Sequence, residues 1–261
     1  MNISLPSIKG SLKKYVPFLL QAHEQNLNEA DTAQRLVKIF EEVLGYDPMS
    51  EISREALIKS KYVDFAIKVD GAVKFLVEIK AAGVELRDRH TDQARSYAAE
   101  GNIPWVLLTN GTTWIFYHLT FTEGIELDRA FSTSLLDDTG EQVCEYLGLL
   151  HRESIRKGLH EVFWQRRSAL SPSSLGRALF NESVIGMIRR GIRKEEGISV
   201  DEESLVTALK DLFSADAREQ IGPVKIRHRR RKKAGGPNLL PDVNPSQPAI
   251  EGIENPPKEK V

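Results

Sequence analysis

The chain has a single cysteine, Cys144, among its 261 residues, which excludes an internal disulfide and any zinc site built on several thiolates. No run approaches the roughly 18 consecutive apolar residues that a membrane-spanning helix requires. The opening Met1–Pro6 lacks the basic-then-apolar pattern of a secretory leader. These absences predict a cytoplasmic protein with no membrane partner. What remains is ordinary for a globular chain: 41% apolar and 28% charged residues, enough for one sizeable domain with appendages.

The net charge of −1 hides an asymmetry. Lys225, Arg227, Arg229, Arg230, Arg231, Lys232 and Lys233 fall within nine residues, so the rest of the chain is acidic. Beyond Gly222, prolines and the Gly235-Gly236 pair predict a disordered basic tail. Seven cations in nine residues cannot be buried together. They suit phosphate neutralisation, with salt-sensitive affinity that is indifferent to sequence, or a purely solubilising role.

Ahead of the tail, the apolar spacing changes twice. From about Asn26 to Tyr46, Ala33, Leu36, Phe40, Val43 and Leu44 recur on one helical face, with Asn28 or Asn26 as cap and Gly45 as terminator. A strand is expected over 51–58. Residues 62–69 and 74–80 alternate strictly, and Asp70-Gly71 between them is a hairpin signal. A helix over 87–100 ends at Gly101-Asn102. Trp105–Thr109 reads as a buried strand, and Asn110-Gly111 turns into another over 112–119. A helix linking two strands implies a crossover and a parallel pair, hence a mixed α/β sheet. After about Ser132 the spacing becomes helical, near 138–150, 152–168, 173–194 and 201–214.

In both alternating strands the odd-numbered residues are the apolar set, whereas Asp64, Glu78 and Lys80 are even. The three therefore emerge together, provided that the hairpin register matches the two faces. A strict two-residue turn pairs Val69 with residue 72 and sets Asp64 against Val77, mixing the faces. A three-residue turn or a β-bulge restores the match. Two carboxylates on adjacent strands repel unless a cation neutralises them. A hard ion such as Mg²⁺ or Mn²⁺ suits Asp64 and Glu78 plus the Ile79 carbonyl. Lys80, two residues past Glu78, can hold the attacking water. The alternative is a solvated strand face carrying a surface ion pair.

Asp64 followed by Glu78-Ile79-Lys80 resembles the Asp…Glu-x-Lys signature of the PD-(D/E)XK nucleases, and the element order resembles that superfamily's αβββαβ restriction-endonuclease-like core. Val63 stands where the signature has its leading proline. Gln93-Ala94-Arg95-Ser96-Tyr97 is similar to the Gln-x-x-x-Tyr motif of the N-terminal nuclease domain of type I restriction enzyme R subunits, and the likeness spans roughly residues 20–120. The resemblance implies that Gln93 and Tyr97 shape the site and that Glu29, early in the first helix, supports the metal. Glu29 also fits a plain first-turn acid. It further implies a DNA substrate, a role in restriction, and partner restriction-modification or motor subunits. No Gly-x-x-x-x-Gly-Lys-Ser/Thr loop is present, so no ATP site is carried over. The expected division is a nuclease-like domain over 1–131, a helical subdomain over 132–221 and the tail over 222–261. A non-catalytic nucleic-acid-binding or assembly module on the same fold is the alternative. His90 and His118 read as structural or solvated. Trp105, Trp114 and Phe116 read as core. Trp164 with Arg166 and Arg167 fits either an amphipathic helix or a nucleic-acid clamp.

Overall fold

The computed structural model describes residues 5–58, 61–121, 124–136 and 140–224. Two helices, α1 (Leu5–Glu24) and α2 (Glu29–Glu42), precede β1 (Ile52–Ile58), β2 (Lys61–Val69) and β3 (Ala72–Ile79). A short 3-10 turn (Asp88–Thr91) leads into α3 (Asp92–Gly101), which is followed by β4 (Trp105–Thr109), β5 (Thr113–Thr120) and β6 (Glu126–Ser134). Helices α4 (Glu141–Leu150), α5 (Arg152–Arg156), α6 (Leu159–Ala169), α7 (Pro172–Leu179), α8 (Glu182–Glu196), α9 (Glu202–Asp211) and α10 (Ala215–Ile221) complete the described chain. The described residues up to Gly222 form one compact unit.

The strands form one sheet in sequence order, β1 through β6. Every neighbouring pair is antiparallel except β3–β4, which α3 connects as the expected crossover. Both faces are covered. One carries Phe65, Ile67, Val69, Phe75, Val77 and Ile79 against Leu36, Ile39 and Phe40 of α2. That same core takes Val143, Cys144, Leu147 and Leu150 from α4 and Ile155 from α5. The other face packs Ala66, Leu76 and Val106 under Ala98 of α3. Val63 packs there too, so the odd-numbered apolar set of β2 does not all point one way. Burying both faces, as in most sheets with a parallel pair, is what blurs the alternation.

Asn28 caps α2, its side chain accepting from the Asp31 amide. Three elements fall outside the sequence expectation, among them the terminal helix α10, which follows the last expected helix at 201–214. The helix α1 contains Gly10 and Pro17, both poor in a helix interior, yet its Ile8, Leu12 and Leu19 are buried. Strand β6 runs to Ser134, past the point where the spacing turns helical. A register shift opposite Phe116/Tyr117 leaves Ala130 as an extra residue, so Ala130 and Phe131 are both buried and the period of two is lost.

Candidate active site

The β2–β3 hairpin decides whether the three polar residues meet. Its turn is two residues long: Val69 pairs with Ala72, and Asp70 and Gly71 sit at φ 53° and 77°. A β-bulge follows between Ile67/Phe75 and Lys68/Val73, with Lys74 the extra residue. Beyond it Phe65 pairs with Val77, so the register carried one step further sets Asp64 opposite Glu78. Of the two geometries that would match the faces, the bulge is the one adopted.

Past Phe65 the ladder opens, and the Asp64 side chain fills the gap. Its Oδ2 accepts the Ile79 amide at 2.7 Å. Lys80 Nζ donates to Glu78 Oε1 at 2.7 Å and lies 3.7 Å from Glu29 Oε1. The Glu78 side chain is only 4% exposed and that of Lys80 18%. On the far side of β2, the β1 register places Glu55 opposite Asp64, with Glu55 at φ 44°. Glu55 was not anticipated; counting back from the Ile58–Lys61 pair would have found it.

Backbone contacts fix Glu29 near this group. The Ala82 amide donates to the Leu27 carbonyl at 2.9 Å, and His23 Nδ1 lies 2.8 Å from the Ala82 carbonyl. Gly83 sits so close to the α1–α2 loop that a Cβ there would come within 1.7 Å of Asn26 Oδ1. The Lys80 amide donates to the Thr109 carbonyl, which holds the site at the ends of the parallel pair.

Burial raises the Asp64 carboxyl above its usual range. The Ile79 amide and Lys80 oppose that shift, and Glu29 and Glu55 add to it. Burial likewise raises Glu78; Lys80 opposes it, while Asp64 and Glu29 reinforce it. For Lys80, burial acts downward, but the hydrogen bond to Glu78 and the surrounding carboxylates win and raise it. Asp64, Glu78, Glu29 and Glu55 against one lysine leave a negative excess around two poorly solvated carboxylates.

The donor chemistry suits a divalent cation. Among the described residues, Asp64 Oδ1 and Glu78 Oε2 have no hydrogen-bond partner, so each carboxylate has one oxygen tied to the protein and one to offer. Two carboxylate oxygens, a backbone carbonyl and several waters make a set that Mg²⁺ accepts. No group of three or more metal-ligating His, Cys, Asp or Glu side chains is assembled among the described residues, so the set is not a closed protein cage.

Gln93 and Tyr97 lie in α3, but their side chains are outside the described ones. Arg227, Arg229, Arg230, Arg231, Lys232 and Lys233 lie outside the described residues altogether. His90 is half-buried near the site, lowered by burial and by Arg89, Lys80 and Arg87. Its Nδ1 accepts the Arg87 amide, a structural use. Trp105, Trp114 and Phe116 are core, as expected.

The element order, the mixed sheet and the parallel β3–β4 pair are those of the mixed α/β sheet expected from the sequence. Residues 28–127 match the family model described as "Type I restriction enzyme R protein N terminus", a span that runs from the cap of α2 into β6 and includes every residue of the constellation above. Among solved structures, the chain is similar to the type IIG restriction endonuclease BpuSI, at 18% identity and a TM-score of 0.35, over 67% of this chain and 23% of that one. This chain thus spans about a quarter of that protein. No curated protein matches the chain. No helix among the described residues is long and apolar enough to cross a membrane.

Proposed function

We propose that this chain is a divalent-metal-dependent nuclease that hydrolyses DNA phosphodiester bonds in a restriction or defence role in the cytoplasm. The observation that carries the reading is the bulged β2–β3 register, which brings Asp64 opposite Glu78 with Lys80 on the same group. Asp64 and Glu78 would hold Mg²⁺ or Mn²⁺ with the Ile79 carbonyl, and Glu29 would support it from α2. When bound, the ion polarises a phosphoryl oxygen and acidifies a water. Lys80 keeps its proton at neutral pH, since its acidic neighbours raise it. It orients the water and offers a fixed positive charge to the phosphate. Ile79 anchors Asp64 through its amide, so the carboxylate meets substrate in one orientation. Gln93 and Tyr97, one helical turn apart in sequence, would shape the pocket, and the basic run 227–233 would hold the DNA backbone. The nuclease activity is assigned to residues 1–131, with 132–221 as its helical appendage. The sequence of residues 1–261 contains no nucleotide-binding loop, and the proposed chemistry at the carboxylates calls for no ATP.

The 2.7 Å Lys80–Glu78 contact, and the absence of a ready-made cage of three ligating side chains among the described residues, favour one second reading: a nucleic-acid-binding or assembly module that keeps the fold without the chemistry. The test is incubation of the full chain with linear and circular DNA, with Mg²⁺ or EDTA, beside Lys80→Ala. Cleavage by the wild type alone, and only with Mg²⁺, is expected; equal degradation by both proteins overturns the site. Calorimetry of Mg²⁺ binding to wild type and Glu78→Ala separates the two readings, since the module needs no metal.

A further inference from the structure

The second feature that could engage nucleic acid lies away from the carboxylates. A cleft of about 820 Å³ opens between β6 and α4 on one side and α6 and the start of α7 on the other. Arg129, Arg166, Arg167 and Arg177 line it against only Glu126 and Asp128, a local positive excess on a chain whose net charge is −1. Arg166 and Arg167 are exposed and have no ion-pair partner among the described residues. The Arg177 guanidinium is held by two serine hydroxyls and, among the described residues, by no carboxylate, donating to Ser173 Oγ and Ser174 Oγ at 2.9 Å each. Among the described residues, no carboxylate pairs with any of the three.

One wall of the same cleft is aromatic. Trp164 is half-buried and stacks on His118, with centroids 4.9 Å apart and planes at 23°, and it meets Trp105 edge-on at 6.4 Å. The indole is therefore ordered before any ligand arrives. Arginines that track phosphates beside a pre-ordered aromatic face are the combination that binds single strands, because every base offers a π-face while the sugar-phosphate backbone supplies the charge. A duplex keeps its bases stacked and gains nothing from the indole.

The geometry points to a single-stranded nucleic-acid site in this cleft, with phosphates on Arg166, Arg167 and Arg177 and a base against Trp164. Trp164 reaches the sheet at His118, which pairs with Trp105, the first residue of β4, whereas Glu78 and Ile79 pair with Leu108 and Thr109 at its other end. Four residues of strand, about 13 Å, separate the two ends, so the cleft holds a strand remote from the carboxylates. The site stands on charge and aromatic geometry, and it deepens the nuclease reading by naming how substrate is held.

The test is a binding measurement in EDTA, where cleavage plays no part and the proposed metal centre is silent. Labelled single-stranded DNA, single-stranded RNA and duplex DNA of equal length are titrated with the full chain by fluorescence anisotropy over a range of salt. Arg166→Glu/Arg167→Glu, both on the surface, is expected to weaken single-strand binding at least ten-fold and to flatten the salt slope by about 1.4, from two lost phosphate contacts. Of the three tryptophans, Trp105 and Trp114 are fully buried, so quenching of intrinsic fluorescence by single strands is expected to vanish in Trp164→Phe. The DNA and RNA arms identify which strand the cleft prefers. Unchanged affinity and slope in the double variant, quenching that survives in Trp164→Phe, or equal loss of duplex and single-strand binding each overturn the assignment. Loss of Mg²⁺-dependent cleavage in Lys80→Ala with single-strand binding intact would leave both readings standing; binding lost without effect on cleavage of saturating DNA would sustain the cleft separately from the chemistry.

Discussion

His160 should make the fold acid-labile by an amount that the structure allows to be worked out. It sits in α6, 6% exposed, with its ring edge-on to Trp105 at 5.2 Å. Its Nδ1 is buried without a hydrogen-bond partner, and its Nε2 lies 3.6 Å from Glu161 Oε1. Burial pushes its pKa down to about 4; Glu161 pulls upward, and Lys74 and His118 push further down. An unfolded histidine takes up its proton near 6.5. Between those values the unfolded chain binds a proton that the folded chain refuses, so stability is complete above about pH 6.5 and drains away as pH falls to about 4. At about 1.4 kcal/mol per pH unit, the loss over this window is on the order of 3 kcal/mol. Asp64 and Glu78 titrate in the opposite sense, because their raised pKa values favour proton uptake by the folded state. The measurement is therefore a difference: urea unfolding of wild type and His160→Phe at steps from pH 7.5 to 4. The stability gap between the two proteins should shift by about 3 kcal/mol in favour of the variant. A gap that stays constant across the range would falsify the account of a neutral, desolvated imidazole.

Four further outcomes follow from the same reasoning. Asp64→Asn keeps an oxygen for the Ile79 amide while removing a charge that burial disfavours, so its urea midpoint at pH 7 should rise as cleavage disappears; a lower midpoint would show that the charge is favourable where it sits. Lys80→Ala leaves Glu78 buried without its ammonium partner and should cost about 2–3 kcal/mol by denaturant titration, below the 3–5 of a fully buried pair because Lys80 is 18% exposed. Gly83→Ala drives a methyl into Asn26 Oδ1 and should lower thermal stability and activity together, with most of the loss recovered in Gly83→Ala/Asn26→Gly; a variant as stable as wild type would mean that the contact yields freely. Deleting residues 223–261 should weaken DNA binding and flatten its salt dependence, and identical isotherms for the truncated and full chains would leave the basic run without that role.

The fold was legible where a local rule and the tertiary environment agree. Asp70-Gly71 states its turn because both positions need positive φ, and α2 announces itself because only one face is buried. The crossover followed from a helix lying between two apolar strands. Legibility failed where packing overrode propensity, as in α1, whose Gly10 and Pro17 argue against a helix that Ile8, Leu12 and Leu19 nonetheless hold against the core. It failed again in β6, where a bulge at Ala130 erases the alternation. The site was legible as a demand: faces that match only with a bulge or a longer turn. Which of the two was adopted lay beyond the sequence, because the bulge depends on how Lys74 is accommodated opposite Ile67 and Lys68. Glu55 escaped notice because its role comes from pairing across β1–β2, a register that is readable only once Ile58 is set against Lys61.

The bulge also explains why so exposed a device as a two-residue hairpin can carry buried chemistry. Without it, the register from Val69–Ala72 would run on to set Asp64 against Val77, placing a carboxylate on the face of Phe75, Val77 and the α2 side chains, where burial without a partner is costly. With the extra residue, the apolar neighbours keep their face and the acids share the other, yet the Glu78 side chain is still only 4% exposed. The result is a group of carboxylates too buried to be comfortable and too open to be silent, stabilised by a single lysine. Removing Lys74 should therefore be more damaging to the site than to the turn: the hairpin would still close at Asp70-Gly71, but the faces would exchange beyond it. Circular dichroism should then report a sheet largely retained in the Lys74 deletion while Mg²⁺ binding by calorimetry is lost, and retention of both would mean that the register is held by something other than the bulge.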